Sequence, residues 1–306
     1  MLNDSIFGIE LETCVCDEKL NKTFDIDRFN EYYKNKLNKL SKKDTFICAE
    51  PHVVTLYDKW MITTDDSISC SESPDDLDIE HKFFYKINKR KSSPVKKCIF
   101  YGLEIVSPKI RYIENELIDF LNIYNKTLLH EDFLYEVHES QGLHVNISHP
   151  LQNKHKFLQF WWYFEPLLML FVDENRRNSE YAVPLRKLFP TFEDIDDWKN
   201  LYENPTNEKM KKYCAVSVKE DRFEIRFINS DISSEHVMLW VMFLIEFLIV
   251  TITKDLFIHD SYNYSSRLIS SNKTTANLFD ELFDDYIQND HLKNEFNTKY
   301  FVINIL

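Results

Sequence analysis

Four short segments of this chain alternate apolar and polar residues, and this alternation constrains the fold more than any other feature. They read SIFGIELETCVC, YGLEIVSP, GLHVNIS and RFEIRFIN in chain order. Successive side chains of a β-strand point to opposite faces, so polar residues two positions apart share one face. Each segment therefore predicts a strand with one apolar face and one polar face.

The polar residues of these segments are the candidate site. They are Glu10 and Glu12, Glu104, His144 and Asn146, and Glu224 and Arg226. An isolated pair of this kind is most often the solvent-exposed side of a half-buried strand. Here the opposite faces are apolar enough for a central sheet, and carboxylates projecting from such a sheet into a cleft repel one another unless a cation lies between them. Glutamates with one histidine favour Mg²⁺ or Mn²⁺, whereas Zn²⁺ favours more His and Cys.

The remaining pattern predicts the helices. Segments with helical spacing of apolar residues lie at 24–40, 110–128, 156–172 and 233–257, with a kink or new start expected at Pro166 and Ser233 as an N-cap. A polar turn near Asp58 suggests two strands within 45–68. Because strands and helices are interleaved without regular βαβ spacing, we expect an α+β domain on a largely antiparallel sheet.

The expected organisation is a single catalytic domain over 1–306. It carries an exposed, polar insertion at 69–97 and a C-terminal helical extension at 233–306. Within that extension, 237–253 approaches the length of a membrane span. Glu246 interrupts it, and a span needs about 20 apolar residues, so a buried core helix and no membrane association are predicted.

Composition excludes several classes of protein. Only 3 residues are Gly and they lie far apart, which excludes a P-loop and a dinucleotide-binding fingerprint. The net charge of −13 disfavours binding to a nucleic acid backbone, which depends on Lys and Arg. Six scattered cysteines without a C-x-x-C pair, and a first segment without signal-peptide character, predict a reducing, cytoplasmic location.

Six motifs taken in order resemble a known family. FGIELE, TTDDS, YGLEIVSP, GLHVNIS, NRRNSEYAVP and RFEIRFINS, over about 7–247, are similar to the amidoligases of the carboxylate-amine ligase superfamily, which includes glutamine synthetase and glutamate-cysteine ligase. The resemblance implies a curved antiparallel sheet with helices on its convex side. Its concave face would hold ATP and two or three divalent ions, Mg²⁺ or alternatively Mn²⁺.

The resemblance also implies roles for individual residues. The metal ligands would be Glu10, Glu12, Glu104, His144 and Glu224. Arg226 would face the transferring phosphoryl group. Asn146, in place of the family's second His, would lie near the nucleotide. Asp65 corresponds to the aspartate of a D-G-S motif in which Asp66 replaces Gly, and its role is open.

Three arginines lie in a segment similar to the family's arginine-bearing loop. They are Arg176, Arg177 and Arg186. A guanidinium group binds phosphate or carboxylate in a bidentate manner, so these residues are candidates for holding a nucleotide phosphate or the acid substrate. The alternative is a solvated loop beside a helix end.

The sequence thus predicts an ATP- and Mg²⁺-dependent ligase that joins a small-molecule or peptide carboxylate to an amine through an acyl phosphate. One alternative is a non-catalytic protein that retains the ligase fold and binds a nucleotide or a partner, because Asn146 and Asp66 depart from the family pattern. A metal-dependent transferase or hydrolase using the same carboxylates is a further alternative. The sequence names neither substrate and does not indicate the oligomeric state.

Overall fold

The computed structural model of the chain describes residues 2–17, 24–43, 45–49, 58–64, 68, 70, 83–85, 99–137, 141–190, 213–254 and 275–301. The chain forms two compact units. The N-terminal unit comprises Ile6–Asn146 and Asn229–Val237, and the C-terminal unit comprises Met1–Ser5, Ile147–Ile228 and Met238–Leu306. Each element is assigned to the unit that holds most of its residues.

The N-terminal unit contains a sheet of mostly antiparallel strands. These are β1 (Ile6–Asp17), β2 (Phe46–Cys48), β3 (Trp60–Thr63), β4 (Phe83–Tyr85), β5 (Tyr101–Val106), β6 (Ile110–Arg111), β7 (Phe133–Val137) and β8 (Gly142–Ser148). Their order is β2, β3, β5, β1, β8; β6 and β7 also pair with β1, and β4 pairs with β7. The β2–β3 pair is parallel, whereas β1 pairs antiparallel with β5, β6 and β7. The predicted strands β1, β5 and β8 are confirmed.

Two helices cover the apolar face of this sheet. Helix α1 (Ile26–Ser41) begins at Asp25, whose carboxylate accepts a hydrogen bond from the backbone N–H of Arg28 at 2.9 Å. The Phe29 ring stacks on that of Tyr101 at 3.8 Å between centroids. Helix α2 (Glu114–Ile123) continues as a π-helical segment over Tyr124–Leu128. The helix predicted over 110–128 therefore begins later than expected, because β6 pairs with β1 first.

The C-terminal unit combines a hairpin with helices. Its elements are α3 (Lys154–Leu168), α4 (Glu174–Arg177), α5 (Leu185–Leu188), β9 (Val216–Val218), β10 (Phe223–Asn229), α6 (Ser234–Thr253), α7 (Thr275–Asp280) and α8 (Asp290–Phe296). Short 3₁₀ helices occupy Leu2–Asp4 and Met169–Phe171, and π-helical segments occupy Glu281–Ile287 and Asn297–Phe301. The predicted hairpin is confirmed: β9 and β10 are antiparallel, with Ser217 opposite Glu224.

Aromatic side chains form the core of the C-terminal unit. Phe157 of α3 stacks on Phe223 of β10 at 4.0 Å, and Trp161 meets Phe227 edge to face at 5.2 Å. One face of β10 is therefore packed against α3, which leaves Glu224 and Arg226 on the other face. Helix α3 runs through Pro166 and ends two residues later, near the expected break.

Helix α6 is the long apolar helix of the sequence. Its first turn is capped by Ser233, whose hydroxyl accepts from the backbone N–H of His236 at 3.3 Å, as predicted. Among the described residues it is the one helix long and apolar enough to cross a membrane, and 67% of its most apolar 18-residue stretch is buried in the protein. Trp240 and Phe243 pack on Phe296 of α8 at 5.3 and 4.8 Å. This packing agrees with the predicted core helix.

Two predictions about organisation concern the insertion at 69–97 and the C-terminal extension at 233–306. Most of the predicted insertion at 69–97 lies outside the described residues, yet it contains β4, which pairs with β7. The helices of the predicted C-terminal extension belong to the core of the C-terminal unit, where Phe171 of the 169–171 turn packs on Phe296 at 4.8 Å. The architecture is mixed α+β and mostly antiparallel. The curvature of the sheet stays a prediction.

Candidate functional site

The polar face of the N-terminal sheet carries carboxylates from two neighbouring strands. Glu10 and Glu12 alternate on β1 with Ile9 and Leu11, which are both 1% exposed on the opposite face. The β1–β5 register places Glu104 directly opposite Glu12. Directly opposite residues have Cβ atoms about 4.5–5.5 Å apart, and like charges there destabilise a sheet. Since Glu12 is only 6% exposed, water screens this repulsion poorly.

His144 and Asn146 on β8 complete this cluster. The imidazole of His144, which is 2% exposed, places Nδ1 3.3 Å from Oε2 of Glu10 and Nε2 3.3 Å from Oε1 of Glu12. The Asn146 amide donates to Oε1 of Glu10 at 2.8 Å. The structure therefore brings together four of the residues that the sequence singled out, and we call Glu10, Glu12, His144 and Asn146 the carboxylate–histidine cluster.

The electrostatics of the carboxylate–histidine cluster favour a cation. A neutral imidazole has one N–H donor, so it cannot donate to Glu10 and Glu12 at the same time. A protonated imidazole could, but two carboxylates around it still leave a net charge of −1. A divalent ion bound by carboxylate oxygens and one imidazole nitrogen removes both problems, and this donor set suits Mg²⁺ or Mn²⁺. The residues present therefore fit the metal that the resemblance implies.

One carboxylate on the same face was missed by the sequence analysis. Glu136 of β7 lies opposite Cys14 of β1 and is 1% exposed. The alternation in FLYEV, with Leu134 and Glu136 two positions apart, does not separate polar from apolar sides, so periodicity alone could not find it.

A close backbone approach explains one of the three glycines. A Cβ atom at Gly102 would lie 3.1 Å from the carbonyl oxygen of Ile68, whereas one at Gly8 would meet its nearest atom at 3.6 Å. Nearby, Cys70 forms a disulfide with Cys14, and their Cα atoms are 5.8 Å apart. Cysteine spacing gave no signal for this pair, which is separated by 56 residues. The cytoplasmic location stays a prediction.

The fourth predicted strand carries its own charged group in the C-terminal unit. Glu224 is 4% exposed and lies between two cations. Lys219 Nζ lies 2.8 Å from one carboxylate oxygen, and Arg226 donates to the other. Lys219 was not predicted. It lies two residues beyond Ser217 and shares a face with Glu224, but this placement depends on the register that sets Ser217 opposite Glu224.

The predicted phosphate-binding arginines make backbone contacts. The guanidinium of Arg176, which is 4% exposed, donates to the carbonyl oxygen of Arg226. Arg177 Nε donates to the carbonyl oxygen of Val172 at 2.9 Å. The Arg176 contact positions α4 beside the strand that carries Glu224, and the phosphate-binding role of both arginines stays a prediction.

Arg186 lies in a different setting, beside a buried carboxylate. Its guanidinium lies 4.2 Å from the centre of the Trp162 ring and donates to the Trp162 carbonyl oxygen at 2.8 Å. Glu165, which is 1% exposed, accepts from the backbone N–H groups of Leu185 and Arg186 at 2.6 Å each. Burial raises the pKa of Glu165, while these hydrogen bonds oppose the shift. Glu165 thus caps the start of α5, and the Arg186 side chain joins α5 to Trp162 of α3.

The remaining predicted residue, Asp65, lies outside the described residues, and so does Asp66.

The chain matches one family model. The model is described as "Putative amidoligase enzyme", and the match covers residues 4–248. A search of curated proteins and a search of solved structures returned no match. The matched region contains every residue of the carboxylate–histidine cluster as well as Glu104, Glu224 and Arg226. Because the match spans most of the chain, this protein belongs to the amidoligase family.

Proposed function

We propose that this protein is an ATP- and Mg²⁺-dependent carboxylate-amine ligase that forms an amide or peptide bond through an acyl phosphate. The single observation that supports it most is the position of His144 between Glu10 and Glu12, in a chain of the amidoligase family. Two carboxylates that share one buried imidazole are costly to fold and are expected where a cation is to be held. A glutamine-synthetase-like curvature of the sheet and a cytoplasmic location are parts of the same proposal.

The proposed reaction has two steps. A carboxylate oxygen of the acid substrate attacks the γ-phosphorus of ATP, the bond to the β–γ bridging oxygen breaks, and ADP leaves. The amine nitrogen then attacks the acyl carbon, the C–O bond to phosphate breaks, and the proton lost from nitrogen passes to the departing phosphate. The phosphate released thus retains one oxygen from the acid. The acid and the amine are small molecules or peptides, since the net charge disfavours nucleic acid.

The residues of this chain bind and orient in these steps. Glu10, Glu12, Glu104 and His144 would hold metal on the N-terminal sheet, and the resemblance assigns Glu224 the same role. When bound, Mg²⁺ would neutralise phosphate charge. Arg226 would contact the γ-phosphoryl group as its charge develops. Removing one donor of this kind typically costs about 10²–10³ in rate.

A product assay tests the proposal. Purified protein is incubated with ATP, Mg²⁺, pooled acids and pooled amines, and ADP, phosphate and new amides are measured. We expect ADP and phosphate in equal amounts together with an amide, and loss of all three in Glu12→Gln. Asp119→Asn, which removes an exposed carboxylate on α2, is the matched control and should retain activity. ADP formation without an amide across a broad panel would contradict the ligase.

A second candidate is supported by Asn146. This residue stands where the family has a second His, and its amide donates to Glu10. A protein that binds nucleotide without turnover would tolerate the replacement of this His by Asn. An amide can hold a carboxylate in place but cannot transfer a proton at neutral pH. Calorimetry with ATP separates the two candidates: nucleotide binding that is unchanged by Glu10→Gln, together with no turnover, would favour the non-catalytic protein.

A further inference from the structure

The β9–β10 hairpin places one carboxylate between two cations. Glu224 has a side chain only 5% exposed, and each of its oxygens contacts a different positive group. Lys219 Nζ lies 2.8 Å from Oε2, and Arg226 contacts Oε1. Each oxygen of Glu224 is thus paired with a cation, whereas Glu10 and Glu12 contact the two nitrogens of a single imidazole.

The hairpin geometry sets the position of Lys219. Ser217 is directly opposite Glu224, and Lys219 lies two residues further along the same strand direction. Its backbone N–H donates to the carbonyl oxygen of Arg222 at 2.9 Å, so the strand alternation continues to the turn. Lys219 therefore projects from the same face as Glu224. The contact results from the fold of the hairpin and is not a chance encounter of surface side chains.

The two cations differ in how easily they can leave Glu224. The Arg226 side chain is 14% exposed and belongs to the strand itself, while the Lys219 side chain is 36% exposed and extends from the turn. An ammonium group on a flexible four-carbon stem is readily rehydrated, whereas a planar guanidinium is held by its geometry. A divalent ion approaching Glu224 would therefore displace Lys219 first.

We infer that Lys219 is a positioning residue that occupies Glu224 until a divalent cation binds there and then contacts an anionic oxygen of the bound ligand, such as a nucleotide phosphate. This inference rests on the proposed function, since it takes Glu224 as a metal ligand. Displacement leaves the ammonium beside the incoming positive charge. Repulsion from that charge favours movement toward a polyphosphate, so that metal and phosphate binding become coupled.

Mn²⁺ titration of the metal-free protein tests the first half of this inference. Free Mn²⁺ is followed by electron paramagnetic resonance in wild type, Lys219→Ala, Lys219→Arg and Lys154→Ala. Lys154 is the matched control, because its ammonium also lies on this hairpin but contacts the Glu220 carbonyl oxygen at 2.8 Å. We expect Lys219→Ala to bind Mn²⁺ about tenfold more tightly, as removal of one competing unit charge should produce. Lys154→Ala should resemble wild type, and Lys219→Arg should bind Mn²⁺ more weakly than wild type, because a guanidinium is harder to displace from Glu224.

Nucleotide binding at saturating Mn²⁺ tests the second half. Calorimetry with ADP should show about fivefold weaker binding in Lys219→Ala, because one phosphate contact is lost.

A double variant tests whether the Mn²⁺ effect acts through Glu224. In a Glu224→Gln background, Lys219→Ala should leave Mn²⁺ affinity unchanged, since the oxygen over which the cations compete no longer carries a charge. Both measurements are made without turnover, so they are independent of the amide assay.

Three results would overturn the inference. They are equal Mn²⁺ affinity in Lys219→Ala and wild type, an equal gain in Lys154→Ala, and an undiminished Lys219→Ala effect in the Glu224→Gln background. The first includes the case in which neither protein binds Mn²⁺. The expected Mn²⁺ and ADP results without amide formation would instead contradict the ligase and leave the role of Lys219 standing.

Discussion

Glu165 in the C-terminal unit and the pair Glu10 and Glu12 in the N-terminal unit are stabilised in different ways. In the C-terminal unit, Glu165 accepts from two backbone N–H groups and from the Trp161 indole N–H at 3.2 Å. In the N-terminal unit, Glu10 and Glu12 contact the two nitrogens of one imidazole. The first arrangement provides three fixed donors for one carboxylate, and the second provides one imidazole and the Asn146 amide for two carboxylates. Burial of an acid is therefore not evidence of function, whereas the balance of donors around it is.

The largest expected effect separates activity from stability in the N-terminal cluster. Glu10→Gln should lower the rate of amide formation about 10²–10³-fold, the usual cost of one lost donor at a charged transition state. The same change should leave the free energy of unfolding of the metal-free protein equal or higher, because it removes repulsion. Steady-state assays and urea unfolding measure the two quantities. A variant that loses both in parallel would indicate a structural role for Glu10.

Glu165 should show the reverse behaviour. Glu165→Leu leaves buried N–H groups without their acceptor, so we expect the free energy of unfolding to fall by about 1–3 kcal/mol. Urea unfolding measures this, and Glu180→Leu is the control, since Glu180 is exposed and a substitution there should change stability by less than about 0.5 kcal/mol. Equal values for the two variants would contradict the capping role of Glu165.

The glycines allow a sharper test of the N-terminal sheet. Gly102→Ala places a methyl group 3.1 Å from the Ile68 carbonyl oxygen, which should destabilise the protein by about 1–2 kcal/mol. Gly8→Ala on the neighbouring strand meets its nearest atom at 3.6 Å and should cost less. Thermal unfolding of both variants gives the comparison. A larger loss in Gly8→Ala would contradict the close approach of Ile68.

The smallest expected effect is a pH dependence from Glu165. Its folded-state pKa is raised above the ordinary value of 4.5, so the folded protein retains a proton that the unfolded chain releases near pH 4.5. Stability from this group is therefore greatest at or below that pH and is lost as pH rises toward the folded-state pKa. Glu165→Gln removes this dependence. Urea unfolding of both proteins from pH 4 upward should show the variant gaining relative to wild type, and parallel curves would contradict the shift.

Much of the fold followed from local pattern. The alternation around Glu10 and Glu104 and the apolar spacing of α6 depend on residues close in sequence, so strands and helices could be predicted. The direct opposition of Glu12 and Glu104 depends on strand register, and the Cys14–Cys70 disulfide joins distant segments. Neither is encoded in a local period, and pattern alone could not predict them.

The sequence predicted which residues form the candidate site better than it predicted the contacts between them. The alternation of one strand was enough to predict that His144 and Asn146 share a face. It could not predict that the His144 imidazole contacts two carboxylates of β1. Arg186 was selected for its charge, while its packing on Trp162 depends on a helix 24 residues earlier in the chain. Lys219 was overlooked because it lies just beyond the end of β9, and its position beside Glu224 depends on the register of the hairpin.

Isotope transfer tests the central claim most directly. Acid substrates labelled with ¹⁸O in the carboxylate are incubated with ATP, Mg²⁺, amines and the purified protein, and the released phosphate is analysed by mass spectrometry. Since the acid's oxygen attacks the γ-phosphorus, the account predicts one ¹⁸O atom in the phosphate for each amide formed. Unlabelled phosphate, or phosphate whose extra oxygen comes from water, would contradict the acyl phosphate.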